Sequence, residues 1–156
     1  MGGTATLQIA RVRTVAFTGL EVADVDVEVQ LGPGLPSFQI VGLPDKAVAE
    51  SRERVRAALA AMALALPPKR ITVNLAPADI AKEGSHFDLP IALGLLVIMG
   101  VLPPDTVERH LALGELALDG TLRAVAGVLP AAAQPSRASG GITPMAAITA
   151  RAIGRS

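Results

Sequence analysis

The sequence predicts an α+β domain with a mixed sheet and helices packed on it. Three observations predict it. Strand-period segments crowd the first third of the chain. Two helix-period segments follow, separated by one further strand. The apolar residues are almost all aliphatic, with three Phe and no Tyr or Trp, so the core is built from Val, Ile, Leu and Ala. Strand runs mixed with helices, rather than strictly alternating with them, indicate α+β rather than α/β architecture.

Leu7, Ile9, Val15 and Phe17 fall on alternate positions, with Arg11 and Arg13 on the same parity, and predict a first strand. Val25, Val27, Val29 and Leu31 alternate with Asp24, Asp26, Glu28 and Gln30, the cleanest period of two in the chain. Gly32-Pro33-Gly34 makes a turn, and Phe38, Ile40 and Val41 a third strand that stops at Gly42-Leu43-Pro44. Asp45 is an N-cap candidate for a helix whose stripe is Val48, Val55, Leu59 and Met62, ending before Pro67-Pro68. Ile71, Val73 and Leu75 form a strand closed by Pro77, and a loop runs from Ala78 to Phe87. Asp88 is placed to cap an apolar helix that carries Pro90 in its first turn and ends near Gly100. Leu111 to Leu118 reads as a strand, Asp119-Gly120 as a hairpin turn, Thr121 to Val125 as the return strand, and Ala131 to Gln134 as the end of a last helix.

The 156 residues are one domain's worth, long enough to bury roughly 70% of the unfolded surface. Fourteen basic residues balance 14 acidic ones, so no global field draws the chain to nucleic acid or anionic lipid. The absence of cysteine excludes disulfides, thiolate nucleophiles and zinc–thiolate sites. Arg11 and Arg13 interrupt the start where a secretory signal needs an apolar core. The longest apolar run, Leu89 to Leu102, is shorter than the ~20 residues that span a bilayer. A cytoplasmic protein without membrane contact is expected.

Three segments resemble the ComM/YifB family of magnesium-chelatase-like AAA+ ATPases. They are Gly34-Leu35-Pro36 through Val41-Gly42-Leu43-Pro44 to Glu53-Arg54-Val55-Arg56; Ile71-Thr72-Val73-Asn74-Leu75-Ala76-Pro77-Ala78-Asp79 into Lys82-Glu83-Gly84-Ser85-His86-Phe87-Asp88-Leu89-Pro90; and Gly114-Glu115-Leu116-Ala117-Leu118-Asp119-Gly120 with Leu122-Arg123. The resemblance implies the N-terminal domain of such a protein, over residues 1–134, with the ribosomal protein S5 domain 2-like fold shared by the proteolytic domain of Lon and the C-terminal domain of RadA. In whole members this domain precedes a ring-forming motor that hydrolyses ATP with magnesium and acts on DNA, in branch migration during natural transformation for the ComM proteins. Residues 135–156 depart from the family pattern and are expected to be an irregular tail, truncated or out of frame. No Gly-Lys pair is present, so the phosphate-cradling loop of the motor is not represented and no cofactor is expected here.

Lys82 to Asp88 is the segment to weigh for chemistry. Aligned on the Lon-type loop, Lys82-Glu83-Gly84 puts His86 at the nucleophile position, and Leu129 falls near the position of the activating lysine, so the Ser–Lys dyad is lost. Ser85, His86 and Asp88 crowd four positions, whereas triads are assembled from distant segments. Asp88 as a helix cap and His86 as a surface residue account for the loop without catalysis. Glu83, His86 and Asp88 lack an established metal-ligand spacing, and no metal is expected. Gly34, Gly42, Gly84 and Gly114 read as turn residues, and Glu115 and Asp119 as a strand entry and a hairpin. Arg52, Arg54 and Arg56, two apart on a helix, fan over its surface. With Lys82 and His86 they are the candidate contacts for a partner or for DNA. The expected function is that of a non-catalytic accessory domain that positions DNA or protein partners beside its own motor and joins a ring only with it. The alternatives are a Ser peptidase or other hydrolase around Lys82 to Asp88, and a pure assembly module.

Overall fold

The computed structural model describes residues 8–19 and 21–123, and the backbone of Thr143 and Pro144. Its elements are β1 (Gln8–Thr18), β2 (Glu21–Gly32), β3 (Ser37–Val41), α1 (Asp45–Ala61), β4 (Arg70–Ala76), α2 (Asp88–Ile98), α3 (Asp105–Glu108), β5 (His110–Leu111), β6 (Glu115–Leu116), β7 (Leu122–Arg123) and β8 (Thr143–Pro144). Six strands form a sheet in the order β3-β4-β2-β1-β5-β8, and β6 pairs with β7 alone. Pairings β1–β2 and β2–β4 are antiparallel; β3–β4, β1–β5 and β5–β8 are parallel. The sheet is mixed and the class is α+β.

Both long helices cover one face of the sheet. Val12, Val27, Val29, Ile71, Val73, Leu75, Phe38 and Ile40 point into a single core with Val55, Ala58 and Leu59 of α1 and Leu89 to Leu96 of α2. The α2 segment is apolar around its whole circumference, and Asp88 to Leu96 are buried throughout, as all-round apolarity requires. The opposite sheet face is largely polar, apart from a small apolar cluster around Val15. There Arg11 reaches Glu28 at 3.4 Å, and Asn74 donates to the same carboxylate at 3.1 Å, tying β1, β2 and β4 together in solvent. No helix among the described residues is long and apolar enough to cross a membrane.

The structure corrects several expectations. In β1 the core-facing residues are Ala10, Val12, Thr14 and Ala16, while Ile9 is 57% exposed. Pairing of Val12 with Val27 and Ala10 with Val29 fixes this face, because cross-strand partners share a side of the sheet. Val15 lies on the other face, in a small cluster with Leu111 and Leu113 against which Phe17 and Val22 pack. Asp45 makes no capping bond: Pro44 holds the cap position and Asp45 opens the helix, where its charge still suits the positive end of the helix dipole. Helix α1 ends at Ala61, ahead of Pro67-Pro68 as expected, and the stop is made several residues before the prolines. Ala63, at φ 58°, turns the chain out, and Leu64 N–H closes onto Leu59 C=O at 2.9 Å. The expected strand Leu111 to Leu118 is two pieces, β5 and β6, in different sheets. Ala112 to Gly114 link them as Ala112 bonds Arg13 C=O and Gly114 bonds His86 C=O. The short helix α3 was not anticipated, and Thr143-Pro144, assigned to the irregular tail, aligns beside β5. The helix ending at Gln134 and the remainder of that tail lie outside the described residues.

Candidate functional site

The richest polar cluster gathers where α1, α2 and β6 meet, around Asp88, which is wholly buried. Asp88 is not a cap. Phe87 holds that position, and the Asp88 carboxylate makes no capping bond. Instead it accepts from Ser51 Oγ at 2.7 Å, from Arg54 Nε at 2.6 Å and Nη2 at 3.1 Å, and from the Leu116 N–H at 3.1 Å. Four donors on two oxygens satisfy a charge that burial would otherwise make costly. The bidentate hydrogen bonds that Arg54 donates to Asp88, against a smaller cost of burial, raise the Arg54 pKa above its ordinary value; the charges of Asp88, Glu115 and Glu50 add attraction. Arg54 therefore turns inward rather than fanning over the surface. Ser51, three residues after Val48, sits on the apolar stripe of α1, and that position was the available sign that its hydroxyl would be buried.

The segment before Asp88 is stitched to the same place. Ser85 Oγ donates to Glu115 Oε2 at 2.6 Å, Gly114 N–H to His86 C=O at 2.9 Å and Leu89 N–H to Gly114 C=O at 3.0 Å. Lys82 is buried, and its ammonium donates to the carbonyls of Pro77 and Ile80. Glu115, expected only to enter a strand, thus holds the serine that the sequence offered as a nucleophile, and Asp88 is engaged elsewhere. Gly114, expected in a turn, is instead a packing position: a Cβ there would lie 3.1 Å from Leu122 and 3.4 Å from Leu89. Asp119 does make the hairpin, accepting from Thr121 N–H at 3.0 Å and Oγ1 at 2.7 Å, bonds that lower its pKa.

His86 is buried, not on the surface. Its Nε2 lies 2.7 Å from Val15 C=O; a carbonyl can only accept, so Nε2 carries the proton. Its ring lies 5.1 Å from Phe17 and 4.1 Å from Phe87, centroid to centroid. Gly84 makes room for it, since a Cβ there would stand 2.9 Å from His86 Nδ1, and φ is +101°. Burial lowers the His86 pKa from 6.5, against the opposing pull of the Val15 bond and Asp88. The folded chain thus takes up fewer protons than the unfolded chain as pH falls through 6.5. Stability held by neutral His86 is complete above that value and is lost progressively as pH falls from it toward the lowered folded-state pKa. The denaturation midpoint is expected to drop between about pH 7.5 and pH 5.5, and His86→Gln to flatten that drop. An unchanged slope in His86→Gln would contradict this assignment.

Of the five candidate contact residues, three are thus turned into the fold. The other two face β3: Arg52 Nη1 donates to Phe38 C=O at 3.2 Å, and the guanidinium of exposed Arg56 stands 6.0 Å from the Phe38 ring centre.

The family model described as subunit ChlI of Mg-chelatase matches residues 27–146. The chain is 47% identical over 133 residues to the competence protein ComM of Haemophilus influenzae, covering 84% of this chain and 26% of that protein. It is 42% identical over 132 residues to the protein YifB of Salmonella typhimurium (85% and 26%) and 41% identical over 128 residues to YifB of Escherichia coli (82% and 25%). The chain spans about a quarter of the length of these relatives.

Proposed function

The chain belongs to the magnesium-chelatase-like ComM/YifB family of AAA+ ATPases, as its N-terminal domain, and from that we propose that it is a non-catalytic accessory domain that positions DNA or a protein partner against the motor. The observation that carries this reading is the use of Ser85, Lys82, His86 and Asp88. Ser85, His86 and Asp88 spend their polar groups on bonds that join the segment to the β6–β7 hairpin, β1 and α1, while Lys82 ties the loop to itself through the carbonyls of Pro77 and Ile80. A nucleophile needs a base free to take its proton. Here the ammonium of Lys82 is buried against two carbonyls and the imidazole of His86 against a third, and the basic group that Ser85 Oγ does reach is the Glu115 carboxylate. The segment acts as a latch that makes one rigid body of two helices and a hairpin. In the same proposal the fold is ribosomal S5 domain 2-like, supported by a mixed sheet with its helices on one face. The protein is cytoplasmic, ATP and magnesium belong to the motor, and the ring forms with the motor. In the whole protein the work would be branch migration of DNA.

Among the described residues, the cations grouped on one side for a polyanionic partner include Arg52 and Arg56 on α1 and exposed Lys69 and Arg70 at the start of β4. Forked and single-stranded DNA, titrated with the 156-residue chain, should bind at low salt and fall away at moderate salt, since phosphate contacts release counterions. Arg52→Glu with Arg56→Glu should weaken binding about ten-fold or more. An absence of binding at low salt would remove DNA from the proposal and leave a protein partner.

A further inference from the structure

Strand β3 ends the sheet among the described residues, and a cavity of about 340 Å³ opens beside it, between β3, the end of α1 and the loop that leads to β4. Edge strands are commonly blunted by charge or proline, because their free N–H and C=O groups invite another strand. Ser-Phe-Gln-Ile-Val of β3 carries neither. In an extended strand the N–H and C=O of one residue point to the same side, and successive residues alternate. Ser37 N–H bonds Lys69 C=O at 3.3 Å, on the β4 side, and Phe38 C=O is reached by Arg52 from the other. The N–H and C=O of Ile40 therefore point along the open edge. Two of the five exposed large apolar residues among those described stand here: Leu35, just before the strand and 88% exposed, and Val41, its last residue and 53% exposed.

The cavity wall joins apolar and basic chemistry. Phe38, Ala60, Leu64 and Leu66 line it together with Arg56 and Lys69, and no carboxylate does. Arg52, on the preceding turn of α1, and Arg70, the first residue of β4, stand nearby. In a chain with 14 acidic and 14 basic residues, such one-signed clustering selects the partner's charge. A second copy docking edge to edge would bring these cations against each other, and nucleic acid would leave the apolar wall unfilled. We infer that β3 receives an extended acidic peptide segment, which adds as a strand to the open edge, places an apolar side chain in the cavity and sets its carboxylates against Arg56 and Lys69.

This rests on the reading of the chain as a partner-positioning domain, and salt separates the two. The probe is a synthetic peptide of roughly eight residues, with Glu and Asp alternating with Val. It is titrated into the isotope-labelled 156-residue chain at moderate salt, where DNA has dissociated. Binding is expected to persist there and to slow hydrogen exchange at the Ile40 amide. Arg56→Glu with Lys69→Glu should weaken it about ten-fold or more, as should Ala60→Trp, which fills the cavity without altering charge. Arg56, Lys69 and Ala60 are all exposed, so the variants keep the fold, checked by their unchanged denaturation midpoints. An unprotected Ile40 amide, an affinity indifferent to Ala60→Trp, or binding that fades with salt in parallel with DNA would each overturn the inference. Failure of the peptide with DNA binding intact would sink this inference alone; the reverse would sink only the DNA-holding role.

Discussion

Asp88→Ala should destabilise the fold by about 3–5 kcal/mol, read as a fall in denaturation free energy at neutral pH, because removing one partner of a buried ion pair strands the rest. The side chain of Arg54 is only 21% exposed and would lose both of its short bonds. Ser51 Oγ and the Leu116 N–H would lose their acceptor as well, and an unsatisfied buried donor carries its own cost. The pair joins residues 34 apart in sequence, so α1, α2 and the β6–β7 hairpin loosen together. The double change Arg54→Met with Asp88→Asn should cost less than the sum of its single changes, since no charge is then left buried. A loss below about 1 kcal/mol for Asp88→Ala would show that the cluster does not hold these elements.

Gly42→Ala should cost about 2–4 kcal/mol, from two sources that add. Gly42 lies at φ +105°, where an L side chain is strained whatever the space around it. An added Cβ would also stand 2.8 Å from Leu75 C=O and 3.1 Å from Leu75 Cβ. The carbonyl belongs to β4, the strand that β3 pairs with, so relief requires the sheet to move. Gly100→Ala is the control: φ is +77° with nothing within 4 Å, so only the conformational part applies and the loss should be smaller. Thermal or denaturant melts of the two variants make the comparison; equal losses would remove the steric part.

What the sequence made legible follows the range of the interactions involved. The period of two in Val25 to Leu31 and the stripe Val55, Leu59 and Met62 report directly on burial, and both segments appear as expected. In β1 the apolar residues occupy both parities, and only pairing with β2 selects Ala10, Val12 and Ala16 for the core. Asp88 looked like a local cap because its partners, Ser51, Arg54 and the Leu116 N–H, come from distant segments that the local pattern does not reveal. His86 looked exposed for the same reason: the carbonyl that receives its proton is Val15, 71 residues earlier. The break between β5 and β6 is likewise set by bonds to Arg13 and His86; Gly114 was the one local sign of it in Leu111 to Leu118.

The most direct test of the latch is a hydrolysis assay on an unfolded protein substrate, comparing the wild-type chain with Ser85→Ala. Ser85 is the one hydroxyl in the loop, and it stands 2.6 Å from the Glu115 carboxylate, so it is the group through which a hydrolase would act. A structural loop gives the same background turnover for both proteins. Cleavage by the wild-type chain that disappears in Ser85→Ala, with the denaturation midpoint unchanged, would contradict the latch and make Lys82 to Asp88 an active site.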